Sequence, residues 1–297
     1  MMDLHMHSRF SSDGEFAPEE LVRLCAEKGI TVMAVADHNT AAGVKRAQEA
    51  AKKLSVTCIP AIEIDCTWQG IDLHVLGYGI DPKAEDILRL AETADRRDKE
   101  ASLKLFEKIC ALGFDVDAEE LEAMAAKAGQ PGIWTGELFA EYLLQKPEYC
   151  AHERLLPYRA GGERSDNPFV NFYWDLCSQG KPCYVKTVFP GAAETVRMIH
   201  KNGGVAVLAH PGVNLKGREA LLPQLFEIGL DGIEACSSYH TAEQTAFFAD
   251  FAAKHDLLVT CGSDFHGKTK PAVYPGKFIS LPCLKESEEK IRKMYKE

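Results

Sequence analysis

Histidines and carboxylates recur in pairs in this sequence, at the ends of short apolar runs. The first run ends in His5-x-His7, and the last is followed by Asp264-x-His266. Residues two apart on an extended strand point to the same face, so each pair can offer two side chains to one metal ion. Imidazole and carboxylate groups without thiolate suit Mn²⁺, Fe²⁺ or Zn²⁺.

The other apolar runs carry or end on residues of the same types. These residues are Asp37, His38, Glu63, His74 and His210, and Asp13 lies in a turn after the first run. A single histidine at a strand end is more often structural than a ligand. Six of the ten histidines recur in this position, which favours a metal site.

The apolar runs alternate with amphipathic stretches along most of the chain. The predicted strands are 2–6, 31–36, 56–64, 73–78, 205–209, 232–235 and 257–261, and the predicted helices between them are 18–28, 41–54, 192–202, 220–228 and 241–255. Alternation of this kind predicts parallel strands and an α/β fold. Seven strands favour a β/α barrel, incomplete or distorted, whose catalytic groups collect at the carboxyl ends of the strands.

The alternation stops between about residues 84 and 185. Helices are predicted at 82–113, 117–127 and 135–144, followed by an irregular segment at 146–168. We therefore predict a mostly helical inserted domain at 84–180, with the barrel formed by 1–83 and 181–297. The insertion is expected to rise over the barrel mouth and shape access to the site. The alternative is that the insertion has a structural role only and takes no part in substrate binding.

Composition limits the class of protein. The chain has 297 residues, of which 46% are hydrophobic and 26% are charged, as in ordinary globular proteins. The formal net charge of −10 argues against a large nucleic-acid surface. No apolar run approaches the roughly 20 residues of a membrane span, and no signal peptide is visible, so a cytoplasmic location is expected. The ten cysteines form no C-x-x-C pair and are interpreted as reduced thiols.

The motifs at the ends of the runs resemble those of the polymerase and histidinol phosphatase (PHP) family, which is related to the amidohydrolases. The resemblance covers 1–83 and roughly 180–270. It rests on Asp3-Leu4-His5-Met6-His7-Ser8, Ser12-Asp13-Gly14, Asp37-His38-Asn39, Glu63, His74-Val75-Leu76-Gly77, Ala209-His210-Pro211-Gly212 and Gly262-Ser263-Asp264-Phe265-His266. The family fold is a distorted seven-stranded β/α (TIM-like) barrel.

The resemblance implies a cluster of three divalent ions. The first would be held by His5, His7, Glu63 and Asp264, the second by Glu63, His74 and His210, and the third by Asp13, His38 and His266. Asp37 matches an acid beside the third ion. It is expected to orient a ligand or a water molecule there, because metal-bound histidines usually need such a partner.

This cluster predicts hydrolysis of a phosphoester. Three divalent ions outweigh the charges of three carboxylates, so the site would attract a phosphomonoester dianion. We expect attack on phosphorus by a hydroxide that bridges two ions. His240 and a metal-bound water are the candidates for the acid that protonates the leaving group, and His240 is also a candidate substrate contact.

The inserted region resembles that of a bacterial subgroup whose members include 3′,5′-bisphosphonucleotide phosphatases and a 5′→3′ exoribonuclease. Arg96 and Arg97 match a paired arginine, and Lys181 lies in a matching Gly-Lys-Pro-x-Tyr-Val element. These three residues are therefore candidates for phosphate binding. The alternative for the two arginines is a solvated helix face.

One segment departs from the subgroup. A Thr-Arg-x-His-Phe-Ala-Arg element is usual there, whereas residues 135–141 carry no basic residue here and Glu141 takes the place of an arginine. Arg154, Arg159 and Arg164 could replace the missing charges from another direction. Otherwise, a second phosphate is not recognised.

The predicted function is therefore a metal-dependent phosphoesterase that acts on a small phosphorylated substrate such as a nucleotide. A 5′→3′ exonuclease or phosphodiesterase acting on short nucleic acid is one alternative. An amidohydrolase-type enzyme that cleaves a C–N bond and a non-catalytic metal-binding module are the others.

Overall fold

The computed structural model of the protein describes residues 1–295. Its strands are β1 (Met2–Asp3), β2 (Val32–Val35), β3 (Thr57–Trp68), β4 (Ile71–Tyr78), β5 (Val205–Leu208), β6 (Gly232–Ser237) and β7 (Leu258–Gly262), and they form one sheet in chain order. The sheet curls into a nearly closed barrel, since the Leu4 N–H donates to the Cys261 carbonyl at 2.9 Å. The predicted seven-stranded α/β barrel is confirmed.

Helices surround this barrel and fill the inserted region. They are α1 (Pro18–Glu27), α2 (Val44–Lys53), α3 (Glu85–Ala111), α4 (Ala118–Ala128), α5 (Gly136–Gln145), α6 (Pro168–Phe172), α7 (Ala192–Lys201), α8 (Pro211–Asn214), α9 (Leu222–Phe226), α10 (Ala242–Lys254) and α11 (Leu284–Met294). A π-helical turn, Tyr173–Cys177, continues α6. Within the described residues, no helix combines the length and the apolar character that crossing a membrane requires.

The prediction of uniformly parallel strands is wrong for β4. This strand runs antiparallel to both of its neighbours, β3 and β5. A tight turn at Gln69 and Gly70, both with positive φ, joins β3 directly to β4 and leaves no room for the crossover that parallel strands need. Because β4 is reversed, His74 in its first half lies at the same end of the barrel as residues that follow the other strands.

Strand β3 is also longer than predicted. It continues to Trp68, so Glu63 lies within the strand and not at its end. Glu63 forms a bridge with His38, which follows the shorter strand β2. The barrel rim at this point is therefore stepped, and the extra length of β3 carries further side chains above Glu63.

Several predicted helices differ from those observed. The stretch 220–228 is a 3₁₀ turn followed by the short helix α9. Proline is tolerated only in the first turn of a helix, so the helix that contains Pro223 begins at Leu222 and not at residue 220. The helices α6, α8 and α11 were not predicted. Helix α11 is fixed to the barrel by Arg292, which donates to the Thr31 and Thr57 hydroxyls at 2.9 and 3.0 Å.

The inserted region has an apolar core separate from that of the barrel. Its buried members come from α3, α4, α5 and the segments up to residue 183, and they include Leu121, Phe139, Leu143 and Phe172. Lys268 after β7 contacts both carboxylate oxygens of Glu141 on α5, at 2.7 and 2.6 Å. This ion pair ties the helices to the barrel beside the mouth.

Helix α7 packs on the antiparallel strands that carry Glu63 and His74. Its fully buried Ile199 lies over Gly77 of β4, where a Cβ atom would approach the Ile199 side chain to 3.0 Å. The absence of a side chain on Gly77 therefore lets the helix sit close to the strand. This contact stabilises the part of the barrel that the predicted ligands occupy.

We predict that Ile199→Ala lowers the free energy of unfolding by about 2–5 kcal/mol, because the cavity left under α7 refills only in part. Urea unfolding measures the change. The control is Arg197→Ala on the exposed face of the same helix, with an expected change within about 0.5 kcal/mol. Equal losses in the two variants would mean that the contact does not hold the helix.

Candidate metal centre

Four buried side chains converge at the centre of the barrel mouth. The Nε2 atoms of His5 and His7 lie 3.1 Å apart, and each lies close to Glu63 Oε2, at 3.0 and 3.2 Å. Asp264 Oδ1 is 3.3 Å from His5 Nε2 and 3.0 Å from His7 Nε2. All four side chains are shielded from solvent. One ion could be bound by all of them.

Neighbouring groups orient the two histidines. His5 donates through Nδ1 to Glu234 Oε1 at 3.0 Å, and His7 Nδ1 pairs with Ser11 Oγ at 3.1 Å. A neutral His5 held this way presents a lone pair at Nε2. Lone pairs and carboxylate oxygens about 3 Å apart repel each other unless a cation lies between them.

Glu63 links this group to a second one. Its other oxygen, Oε1, is 3.0 Å from His74 Nδ1 and 3.0 Å from His210 Nε2. The His210 N–H donates to Glu234 Oε2 at 2.8 Å, so Glu234 holds both His5 and the backbone at His210. The two oxygens of Glu63 thus face two adjacent groups of imidazoles.

A third group lies on the opposite side of His7. Asp13 Oδ2 is 3.1 Å from His266 Nε2, and the rings of His7 and His266 stack with their centroids 3.9 Å apart. His266 donates through Nδ1 to the Asp264 carbonyl at 2.8 Å, which leaves its Nε2 free to act as a ligand. His38 completes this group.

The donor atoms of these groups fit metal ions. Glu63 Oε2, Asp264 Oδ1, Asp13 Oδ1 and His266 Nε2 are buried and have no hydrogen-bond partner among residues 1–295. A buried polar atom without a partner costs free energy, so such atoms in one place need an explanation. Coordination of cations would satisfy all four.

The charges in the cluster point the same way. Burial opposes the charged form of His5, but the attraction of Glu63, Glu234 and Asp264 prevails and raises its pKa well above the usual value. Burial likewise disfavours ionised Glu63, yet nearby histidines, chiefly His5 and His38, lower its pKa well below the usual value. The buried carboxylates therefore demand positive charge, which a proton or a metal ion can supply.

Two groups hold the outer oxygen of Asp264. The buried Lys270 ammonium donates to Asp264 Oδ2 at 2.7 Å, and the Tyr239 hydroxyl donates to the same oxygen at 2.5 Å. The Lys270 ammonium also lies 5.3 Å from the centre of the Tyr239 ring. These contacts leave Oδ1 facing the histidines.

Unusual backbone geometry places several of these side chains. Asn39, His210 and Asp264 all have positive φ, at 57°, 22° and 55°. Non-glycine residues rarely adopt this region, and such outliers collect at functional sites. Gly262, two residues before Asp264, is in close contact with His5, since a Cβ there would lie 2.1 Å from His5 Cβ.

Four further residues contact the predicted ligands and were not predicted as site residues. They are Glu234, Asp65, Tyr239 and Lys270. Asp65 could have been found from strand alternation, because it lies two residues after Glu63 on β3. Its Oδ1 is 3.1 Å from His38 Nδ1, and its Oδ2 accepts from the Asn39 amide at 2.8 Å. Glu234 is a lone acid in an apolar strand, and that unusual position was the available signal.

Asp37 lies in a different place from the one expected. Its carboxylate accepts from the Ser8 N–H at 2.6 Å and from the Ser8 hydroxyl at 2.7 Å. Ser8 directly follows His7, so Asp37 fixes the backbone of a predicted ligand and makes no hydrogen bond to a ligand ring.

A cavity of about 830 Å³ opens above the cluster. Six residues of the three groups line its floor, namely Asp13, His38, Glu63, His74, His210 and Asp264. Residues of α3, α5 and the π-helical turn form its walls. Gly136 lets α5 approach the π-helical turn, since a Cβ there would lie 2.9 Å from Cys177 Sγ. The next residue, Glu137, lines the cavity and is buried.

Only one of the predicted phosphate-binding residues lines this cavity. Arg97 does, and it donates to Asp98 at 2.8 Å. Arg96 and Lys181 are exposed and lie outside it. His240 is buried elsewhere, where Nδ1 donates to the Ala235 carbonyl and Nε2 accepts from the Gly212 N–H. Both of its nitrogens are therefore engaged by the backbone, away from the cavity.

The other arginines considered as replacements also lie outside the cavity. Arg159 donates to the carbonyls of Leu144 and Tyr149, and Arg164 pairs with Asp175 at 2.9 Å. Both arginines therefore stabilise the inserted helices. Arg154 is exposed.

Comparison with known proteins identifies the family. Residues 3–127 match the PHP domain. A phosphoribosyl 1,2-cyclic phosphate 1,2-diphosphodiesterase of Eggerthella lenta is 32% identical, over 90% of this chain and 94% of the relative. A 3′,5′-nucleoside bisphosphate phosphatase of Chromobacterium violaceum is 29% identical, over 95% and 93%. A 5′-3′ exoribonuclease of Haemophilus influenzae is 29% identical, over 89% of both chains.

Solved structures share the whole fold. A Bifidobacterium adolescentis protein thought to be a metal-dependent phosphoesterase superposes with a TM-score of 0.79 at 26% identity, over 100% of this chain and 96% of the other. An amidohydrolase of Chromobacterium violaceum with bound sulfate gives 0.78 at 25% identity, over 97% and 96%. The chain therefore belongs to the PHP family and is a metal-dependent hydrolase of phosphoester bonds.

Proposed function

We propose that the centre binds three divalent ions, Mn²⁺, Fe²⁺ or Zn²⁺, and that the enzyme releases phosphate from a small nucleotide-type phosphomonoester. The ligands would be His5, His7, Asp13, His38, Glu63, His74, His210, Asp264 and His266. The observation that carries the proposal is the convergence of their donor atoms in overlapping groups, four of these atoms having no hydrogen-bond partner among residues 1–295.

Bound ions would polarise the phosphoryl oxygens and supply a hydroxide nucleophile at neutral pH. The residues of the chain do the positioning. Glu234 keeps His5 in the tautomer that faces the centre, and Lys270 with Tyr239 keeps Asp264 Oδ1 turned towards it. Arg97, on the wall of the cavity, would hold a phosphoryl oxygen through N–H groups that neither Asp98 nor Asp65 uses.

The substrate class rests on the cavity and on the relatives. By their names, the relatives act on a phosphoribosyl 1,2-cyclic phosphate, a nucleoside 3′,5′-bisphosphate and RNA. A cavity of about 830 Å³ has the size of a small-molecule site. We propose that 84–180 is an inserted domain that forms its walls, which its separate apolar core supports. We also propose that the protein acts in the cytoplasm.

Phosphate release from metal-loaded protein tests this function. A panel of phosphomonoesters, with a short oligoribonucleotide and an amide substrate beside it, should give free phosphate from the monoesters. Removal of the ions by a chelator should abolish the release, and added Mn²⁺, Fe²⁺ or Zn²⁺ should restore it. Turnover of the amide without phosphate release would support C–N hydrolysis, and mononucleotides released from the oligoribonucleotide alone would support an exonuclease.

We predict that Asp264→Asn loses bound metal together with activity, because an amide cannot supply the charge of the carboxylate. Metal content per chain, measured by mass spectrometry of the purified protein, should fall by at least one ion. Asp250→Asn, on the exposed face of α10, is the control and should keep its metal. An Asp264→Asn variant with full metal content and full activity would contradict the proposed centre.

We also predict that Glu234→Gln weakens metal binding by about 10- to 100-fold, since the partner of a ligating histidine fixes its tautomer and raises its basicity. Titration of the metal-free protein with Mn²⁺ measures the affinity. Glu227→Gln, at an exposed position before the same strand, should bind like the wild type. Unchanged affinity in both variants would show that Glu234 has only a structural role.

A further inference from the structure

Carboxylates outnumber basic residues on the walls of the cavity, apart from the proposed metal ligands at its floor. Three basic residues line it within the described part of the chain, Arg97, Arg218 and Lys270. Six carboxylates outside the proposed ligand set line it as well, namely Asp65, Asp72, Glu92, Asp95, Asp98 and Glu137. Away from the ions, the walls therefore carry net negative charge.

The two partly buried cations are paired with carboxylates on the metal side of the cavity. Lys270 contacts Asp264 at 2.7 Å. Arg97 contacts Asp98 at 2.8 Å and Asp65 at 3.5 Å, and it stacks on Phe189 with 4.6 Å between the guanidinium carbon and the ring centre. Asp65 in turn contacts the proposed ligand His38, so the charge of Arg97 is held on the metal side of the cavity.

The remaining cation is at the rim. Arg218 is exposed, and its guanidinium donates to the Asn214 carbonyl at 3.2 Å. A flexible exposed arginine is a weak substitute for a buried anion site, because it loses side-chain entropy on binding and is screened by solvent.

Glu137 is the wall carboxylate that would repel a bound anion most strongly. Only 9% of it is accessible to solvent, and it forms no ion pair with Lys or Arg among residues 1–295. It stands in the first turn of α5, held against the π-helical turn by the close approach at Gly136. An anionic group placed beside it would meet an uncompensated buried charge.

The walls suit a neutral, hydroxyl-bearing group instead. Ionised carboxylates only accept hydrogen bonds, and sugar hydroxyls can donate them. Aromatic rings line the same space, among them Trp134, Tyr173, Trp174 and Tyr239, and they can cover the flat apolar face of a ring.

We infer that the substrate carries a single phosphoryl group on a hydroxyl-bearing sugar, and that the wall carboxylates, above all Glu137, exclude a second phosphoryl group. This inference rests on the proposed phosphatase function and narrows its substrate class. The phosphoryl group binds at the ions, and the sugar faces the carboxylates and the aromatic rings. A free sugar phosphate and a nucleoside monophosphate share this chemistry.

Steady-state phosphate release by the metal-loaded enzyme tests the inference. The substrates are ribose 5-phosphate, AMP, adenosine 3′,5′-bisphosphate and phenyl phosphate. We expect kcat/KM for AMP or ribose 5-phosphate to exceed that for the bisphosphate by at least about tenfold, because apposed like charges are costly.

The variant Glu137→Gln removes the charge and keeps the shape. It should raise kcat/KM for the bisphosphate and narrow the ratio to AMP by about fivefold, since the like-charge repulsion is lost. Glu148→Gln, at an exposed position of the inserted region outside the cavity, should leave the ratio unchanged. Ribose 5-phosphate and AMP, compared with each other, separate a free sugar phosphate from a nucleotide.

Three results would overturn the inference. The first is a wild-type kcat/KM for the bisphosphate equal to that for AMP. The second is a ratio of these two values that changes no more in Glu137→Gln than in Glu148→Gln. The third, equal turnover of phenyl phosphate and ribose 5-phosphate, would overturn the role of the hydroxyl groups. If none of the compounds releases phosphate, the proposed function fails. Calorimetric titration with AMP and the bisphosphate then decides, and binding of the bisphosphate as tightly as AMP counts against the inference.

Discussion

Buried negative charge at the barrel mouth governs this structure. Three carboxylates and six imidazoles lie in overlapping groups. Glu63 Oε2 lies only 3.0 Å from His5 Nε2 and has no hydrogen-bond partner in the described part of the chain. Such a set is stable in a buried place only when positive charge is supplied, and several divalent ions supply it most completely. The same requirement explains why Lys270 is buried against Asp264, whereas Glu234 adds a further buried carboxylate and fixes the orientation of His5.

The fold meets this requirement with local departures from a regular barrel. The reversed strand β4 brings His74 to the rim that the parallel strands would otherwise form alone. Positive φ at His210 and Asp264 turns their side chains inward. The long helix α3 then brings Arg97 to Asp65, so that the inserted region and the barrel share one charged contact above the centre. The walls of the cavity and the proposed metal ligands therefore come from different parts of the chain, and these parts are in contact at Asp65.

Much of the centre could be predicted from the sequence, and the reasons for success and failure are physical. The two-residue spacing of His5 and His7 is a local property of an extended chain, so it predicts a shared face directly. The predicted direction of β4 was wrong because Gln69-Gly70, between two apolar runs, was not interpreted as the turn of a hairpin. Lys270, Tyr239 and Glu234 were missed since their contacts join residues far apart along the chain, which no local spacing reveals. His240 has the composition of a site residue, but backbone groups occupy both of its nitrogens.

The central claim is that the converging donor atoms hold a cluster of divalent ions. A crystal structure of the metal-loaded protein, with anomalous scattering recorded on both sides of the Mn, Fe and Zn absorption edges, tests it most directly. We predict three anomalous peaks, one bound by His5, His7, Glu63 and Asp264, one by Glu63, His74 and His210, and one by Asp13, His38 and His266. No anomalous peak among these residues, or peaks held by other side chains, would contradict it.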